Sequence, residues 1–433
     1  MKHTLLTCIF ILSLFTSLFS QELPAPDQSE SILLVDATIH VGTGEVIEQG
    51  AVGFENGVLT FVGEASEVNR SEYQQVIEVA GQHIYPGFIA TNNILGLVEV
   101  DAVRSTRDYS ETGTLNPNVR ALVAYNTDSK ITPTVRSNGV LMTQVTPRGG
   151  RISGSSSVVQ LDAWNWEDAV ILEDGGIHVN WPSMFQKSGW WAEPGPTKKN
   201  KKYDEQRDGL VDFLIEAKAY AQTAEPEKLN LKFEAMRRVF TGNQRLYIHA
   251  HAAKELMNII KIKRKLDLEH VVVVGGNDAL LVAESLKENS IPVILDRSQG
   301  LPNRVDDDYD AIFTLAQNLM EKGVLVAMSG KGGMEAMNTR NLPFYAGNCV
   351  TYGMNEEDAL KLITLNAAQI IGIEESHGSL ETGKSATLFV SEGDALDILG
   401  NQLTYAFIDG RLISLDNHQN RLSKRFNEKY ERK

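Results

Sequence analysis

Short apolar, β-branched runs broken by Gly, Asn and Asp fill the chain from residue 32 to residue 88. ILLVDATIHVGTG, GAVGFENGVLTFVG and QVIEVAGQHIYPGF read as strands. Glu55-Asn56-Gly57 marks a hairpin, because Asn-Gly accepts the positive φ values of a type I′ turn. From Pro86 the pattern changes. Apolar stretches at 84–90, 140–145, 157–161, 177–181, 246–251, 271–275, 292–295 and 325–328 read as strands, with helical segments between the later ones. In 204–223, Leu210, Phe213, Leu214, Ala217 and Ala221 share one helical face, and 256–266, 279–287 and 311–322 repeat the idea. Strands apolar on both faces that alternate with helices indicate a parallel sheet, and eight of them suit an α/β fold of the (β/α)8 barrel type. After a helix over 356–372, strand and hairpin patterns return in GSLETGKSATLFVSEGD and QLTYAFIDGRLIS.

Three segments stand apart from this pattern. Residues 1–20 have a short polar start at Lys2 and His3, an apolar run over 5–19 and a small residue, Ser20, for cleavage. The run is shorter than the roughly 20 residues of a spanning helix, so it reads as a secretory signal peptide rather than a membrane anchor. A periplasmic or secreted location is the expectation. Residues 21–31 are polar, with two prolines, and read as a disordered leader. Residues 183–202 carry Trp190, Trp191, Lys198, Lys199, Lys201 and Lys202, with Pro194, Gly195 and Pro196 interrupting them. A long loop of this kind is a lid, a binding loop or a floppy insertion; adjacent tryptophans favour something packed or bound.

Composition narrows the picture. The 433 residues are 42% apolar and 22% charged, as in a soluble globular chain, and suit a barrel of about 250 residues plus a smaller unit. A net charge of −15 argues against nucleic acid or acidic membranes as partners. Only Cys349 lies outside the signal segment, so no intrachain disulfide is expected and this thiol reads as core.

The run His83-Ile84-Tyr85-Pro86-Gly87-Phe88-Ile89-Ala90-Thr91-Asn92-Asn93-Ile94 resembles the first barrel strand of the amidohydrolase superfamily, P-G-x-I-D-x-H-x-H. With ALKLITLNAAQIIGI, GSLETGKSATLFV and AFIDGRLIS, the resemblance, to the imidazolonepropionase-like members, extends from residue 32 to 414. It implies a barrel over 86–377 and a small β-sandwich built from 32–85 and 378–415. It also implies hydrolysis of carbon–nitrogen bonds other than peptide bonds. The family's metal is held by two His of strand 1, often a carboxylated Lys of strand 4, one His each from strands 5 and 6, and an Asp of strand 8. Here the strand 1 positions hold Ala90, Asn92 and Ile94; strand 6 offers Gly275 or Gly276; the strand 8 position falls on Lys331 or Gly330; and 177–181 contains no lysine. His249, in Tyr247-Ile248-His249-Ala250-His251, is the one ligand position retained.

Hydrolysis at neutral pH needs hydroxide, and a bound metal supplies it by lowering the pKa of water from 15.7 to about 7. One or two histidines fall short of the three ligands a catalytic zinc takes. The expectation is therefore no cofactor, beyond weak residual zinc, and little conventional metal-dependent activity. Two classes of function stay open. In the first, His249 and His251 act as acid and base, while Asn92, Lys331 and Asp296 contact the substrate. In the second, the chain is a secreted non-catalytic barrel. The expected partners are a small-molecule ligand and either another copy of the chain or an active amidohydrolase homologue, with no membrane after signal cleavage. Asp296 also reads as half of a structural pair with Arg297. Gly275-Gly276-Asn277-Asp278 and Gly330-Lys331-Gly332-Gly333 are candidate anion loops without a Walker pattern. GGRISGSSSVVQL reads as a polar strand and turn.

Overall fold

A computed structural model describes residues 23–430 except 191, 303, 305 and 306. The expected signal peptide, and Trp191, lie outside the described residues. Five strands open the chain: β1 (Ile32–His40), β2 (Val46–Glu55), β3 (Val58–Glu64), β4 (Gln75–Glu78) and β5 (His83–Pro86). The turn between β2 and β3 has φ 51° at Asn56 and 80° at Gly57, as a type I′ hairpin requires.

The barrel begins with β6 (Phe88–Asn93), β7 (Val140–Val145), β8 (Ile152–Gln160) and β9 (Val170–Asn180). A hairpin, β10 (Phe185–Trp190) and β11 (Glu193–Lys199), follows, and then β12 (Arg245–Ala250), β13 (Val271–Gly275), β14 (Val293–Leu295) and β15 (Val326–Met328). Neighbours pair in the order β6-β7-β8-β9-β12-β13-β14-β15, and a parallel bridge between Thr91 and Ser329 joins the last strand to the first. The single strand expected over 84–90 is two. Gly87 separates β5, in the terminal sheet, from β6, in the barrel.

The all-parallel expectation fails at one strand: β8 runs antiparallel to both β7 and β9. Only residues 146–151 join β7 to β8, too few for the dozen or more that a parallel crossover takes. Gly149 and Gly150, at φ 87° and 64°, reverse the chain there. The serine-rich stretch is thus a buried barrel strand.

Ile89, Met142, Val158, Tyr247, Val274, Ile294 and Ala327 pack inside the barrel, and Ala367, Ala368, Ile370 and Ile371 plug its lower end. These last four belong to the helix Leu365–Ile371; the single helix expected over 356–372 is broken into this piece and Glu356–Lys361. The opposite end is the mouth. The terminal sheet takes β16 (Leu388–Ser391), β17 (Leu403–Ile408) and β18 (Arg411–Leu412), so both chain ends share one eight-stranded sheet. It divides at β1, which pairs with β4 through Ile32–Val35 and with β5 at Thr38 and Ile39, on either side of an irregularity at Asp36, φ 67°.

Residues 23–31 are not a loose leader. The Ala25 amide donates to Asp162 Oδ2 at 2.8 Å, Arg411 Nη1 donates to the Ala25 carbonyl at 3.1 Å, and the Gly57 amide donates to Gln28 Oε1 at 2.8 Å. Asp162 is 4% exposed and also takes hydrogen bonds from Arg136 and Arg411. The 183–202 insertion forms the β10–β11 hairpin, with Phe185 and Trp190 exposed. No described helix is long and apolar enough to cross a membrane.

Candidate functional site

Arg148 lies three residues beyond β7, and its amide donates to the Tyr109 carbonyl at 2.6 Å. Its guanidinium reaches back over the end of β6. Nη1 donates to Asn92 Oδ1 at 2.9 Å, and Nη2 donates to the Asn92 carbonyl at 2.8 Å and to Glu335 Oε1 at 2.6 Å. Asn92 adopts φ 49°, a left-handed conformation that Asn tolerates better than most side chains. The Asn92 amide donates to Gln144 Oε1 at 2.9 Å. Burial raises the Glu335 carboxyl above its ordinary range, while Arg148 pulls the other way. Asn92 is fully buried. Its side-chain oxygen is taken by Arg148, and its Nδ2 has no hydrogen-bond partner among the described residues.

Two histidines meet beside this group. β9 and β12 are parallel neighbours, with His178 opposite Tyr247 and Asn180 opposite His249. His178 Nδ1 and His249 Nε2 are 2.9 Å apart, and His178 Nε2 is 2.8 Å from Ser156 Oγ. Gln144 Nε2 donates to the same Ser156 oxygen at 3.1 Å. A hydrogen-bonded line therefore runs from Asn92 through Gln144, Ser156 and His178 to His249. The His178 ring stacks on Tyr247 with centroids 4.6 Å apart. Burial, reinforced by Arg148 and Lys331, holds His178 well below its ordinary value; burial, then Lys331, does the same to His249.

This has a consequence for stability. Unfolded histidines titrate near 6.5, so below about that pH the unfolded chain binds protons that the fold refuses. The contribution is present above that pH and is lost on acidification. Urea unfolding between pH 7 and about 5.5 should show stability falling with pH, and His178→Gln should remove part of the slope. His249, His83 and His377, also lowered by burial, contribute to the remainder.

Lys331 and Asp296 complete the mouth, with Lys331 Nζ 3.8 Å from Asp296 Oδ1. The expected Asp296–Arg297 pairing gives way to this one, since Arg297 Nη1 donates to the Gly333 carbonyl at 3.3 Å. His251 Nδ1 lies 3.2 Å from Asn277 Oδ1 and is not hydrogen-bonded to His249. Gly275 has φ 102°, and a Cβ there would stand 2.4 Å from His251 Cε1. Gly275→Ala should therefore cost about 1–3 kcal/mol of stability through backbone strain and crowding, measurable as a shift in the urea midpoint; an unchanged midpoint would contradict the crowding. The Gly275–Asp278 turn is no open anion nest: the amides of Gly276, Asp278 and Ala279 donate to the carbonyls of Ala250, His251 and Gly276. Among the described residues, no group of three or more His, Cys, Asp or Glu is placed to hold a metal ion.

Comparison with known proteins fixes the lineage. Residues 169–415 match the model of the amidohydrolase family. The chain belongs to the amidohydrolase family. An imidazolonepropionase of Acinetobacter baumannii is 24% identical over 384 residues, covering 81% of this chain and 89% of its own. One of Bacillus thuringiensis is 43% identical over 63 residues, 14% of each chain. The crystal structure of an amidohydrolase from Thermotoga maritima aligns with TM-score 0.74 at 23% identity, covering 88% of this chain and 99% of that one, a likeness of fold. Arg148, Glu335, Ser156 and the pairing of His178 escaped the sequence reading. The one available signal was His178 itself, an inward-facing histidine on the strand beside His249.

Proposed function

We propose that this amidohydrolase-family barrel recognises a small ligand at its mouth and does not carry out metal-hydroxide hydrolysis. The observation that carries the reading is the Arg148 guanidinium, bound to both oxygens of Asn92 and to Glu335 beside the strand where the family places two histidines. The donor set does not fit a dication. Ile94 is apolar and buried, Gly275 has no side chain, and His178 and His249 bond to one another. Arg148 and Lys331 place two cationic side chains at the mouth, paired with Glu335 and Asp296, where the family would bring metal ligands. Elemental analysis of protein dialysed against zinc is expected to find well under one equivalent, and a full equivalent would overturn the reading.

A second reading has its own support. His249 is part-exposed, its pKa is lowered by burial and then by Lys331, its Nε2 is held by His178, and its Nδ1 has no hydrogen-bond partner among the described residues. A ring held in this way can serve as a general base without metal. A panel of cyclic amides, dipeptides and N-acyl amino acids tests it: activity lost in His249→Ala supports it, and activity unchanged in that variant removes it. Export through residues 1–20 and association with a metal-bearing homologue or a second copy belong to the first reading. Co-purification from the envelope fraction tests them.

A further inference from the structure

A cavity of about 420 Å³ opens beside the mouth, over the tips of β13, β14 and β15 and against the helix Ala311–Glu321. Its size lies within the usual range of small-molecule sites, about 300–1,000 Å³. Lys331 and Asp296 line it, so it is continuous with the charged group described above. Their side chains are 26% and 30% exposed; Asp296 Oδ1 itself is shielded, so a ligand meets the carboxylate through its exposed part. Their separation of 3.8 Å exceeds hydrogen-bonding distance, and Asp296 Oδ1 accepts no hydrogen bond from the described residues. A carboxylate oxygen shielded from water without a donor is costly. The ammonium beside it likewise has capacity to spare. A cation and an anion held close together, each incompletely paired, match a ligand that carries the same two charges in reverse.

The rest of the wall sets the remaining part of the ligand. Leu281, Ile312, Leu315 and Met328 give it apolar surface. Arg304 at the rim is engaged by Asp278 at 3.3 Å and Asp307 at 2.9 Å, so its charge is answered within the protein.

We propose that the cavity binds a small zwitterion with an apolar side chain, its carboxylate on Lys331 and its ammonium on Asp296. This rests on the reading of the mouth as a ligand-recognition site and names the class of ligand. Binding is non-covalent, and no bond is made or broken.

Calorimetric titration of the full mature chain with leucine, N-acetylleucine, leucinamide and glycine tests it. Leucine is expected to bind. N-acetylleucine lacks the ammonium, leucinamide lacks the carboxylate and glycine lacks the apolar group; each should bind about tenfold more weakly or worse, the loss of one good contact. Asp296→Asn should erase the preference for leucine over N-acetylleucine, and Lys331→Met the preference for leucine over leucinamide. N-acetylleucine or leucinamide binding as tightly as leucine, or no binding by any of the four, overturns the proposal. The ligand series on the unaltered chain decides even where a variant fails to fold. A full equivalent of zinc with the leucine preference intact would remove the metal-free reading alone. Zinc-free protein indifferent to leucine would remove the zwitterion alone.

Discussion

Arg148→Met is expected to destabilise the chain by about 3–5 kcal/mol, the range for breaking a buried ion pair from one side. Glu335 is 7% exposed in its side chain and Arg148 18%, so water reaches this pair poorly. The variant strands a buried carboxylate and leaves two oxygens of Asn92 without their donors. The double variant Arg148→Met with Glu335→Leu should recover much of the loss, because apolar replacement of a whole buried pair is often close to neutral. Urea midpoints of both variants are the measurement. A single variant within about 1 kcal/mol of the parent, the range of surface pairs, would mean that the guanidinium does not organise the mouth.

Asp162→Ala should cost a comparable amount, about 3–5 kcal/mol, at the other end of the barrel. Its carboxylate is shared by Arg136 and Arg411, whose side chains are 7% and 12% exposed, and it also takes the Ala25 amide. Removing it leaves two crowded cations without their common anion and cuts the tie to the N-terminal segment. Limited proteolysis should then cleave within residues 23–31, and the parent should resist there. Protection retained at an unchanged urea midpoint would show that the junction does not depend on this side chain.

Much of the barrel was readable because its strands are apolar on both faces, and the Asn56-Gly57 turn because its dihedral needs are met by few residue pairs. The family frame made His249 legible. Strand direction was not: Ile152–Gln160 has the burial of a barrel strand, and its reversal is decided by the short glycine connection before it. The core of the mouth was hidden for a different reason. Arg148 meets Asn92 across 56 residues and Glu335 across 187, and no local pattern announces such a meeting. The disorder expected of the leader was misjudged for residues 23–31, because their polar composition says nothing of Asp162 and Arg411, which hold them in place. Asn92 was expected at the substrate because its position in the family is a ligand position; its hydrogen bonds to Arg148 were not foreseeable from composition.

The reversed strand has a kinetic consequence. β7, β8 and β9 follow one another directly and pair as a meander. Bringing them together closes only short loops, at a small entropic cost, whereas the strands after β9 must wait for long crossovers. Refolding is therefore expected to start on the side of the barrel that carries Ser156 and His178. Substitutions there should slow folding, while those in β13–β15 should mainly speed unfolding.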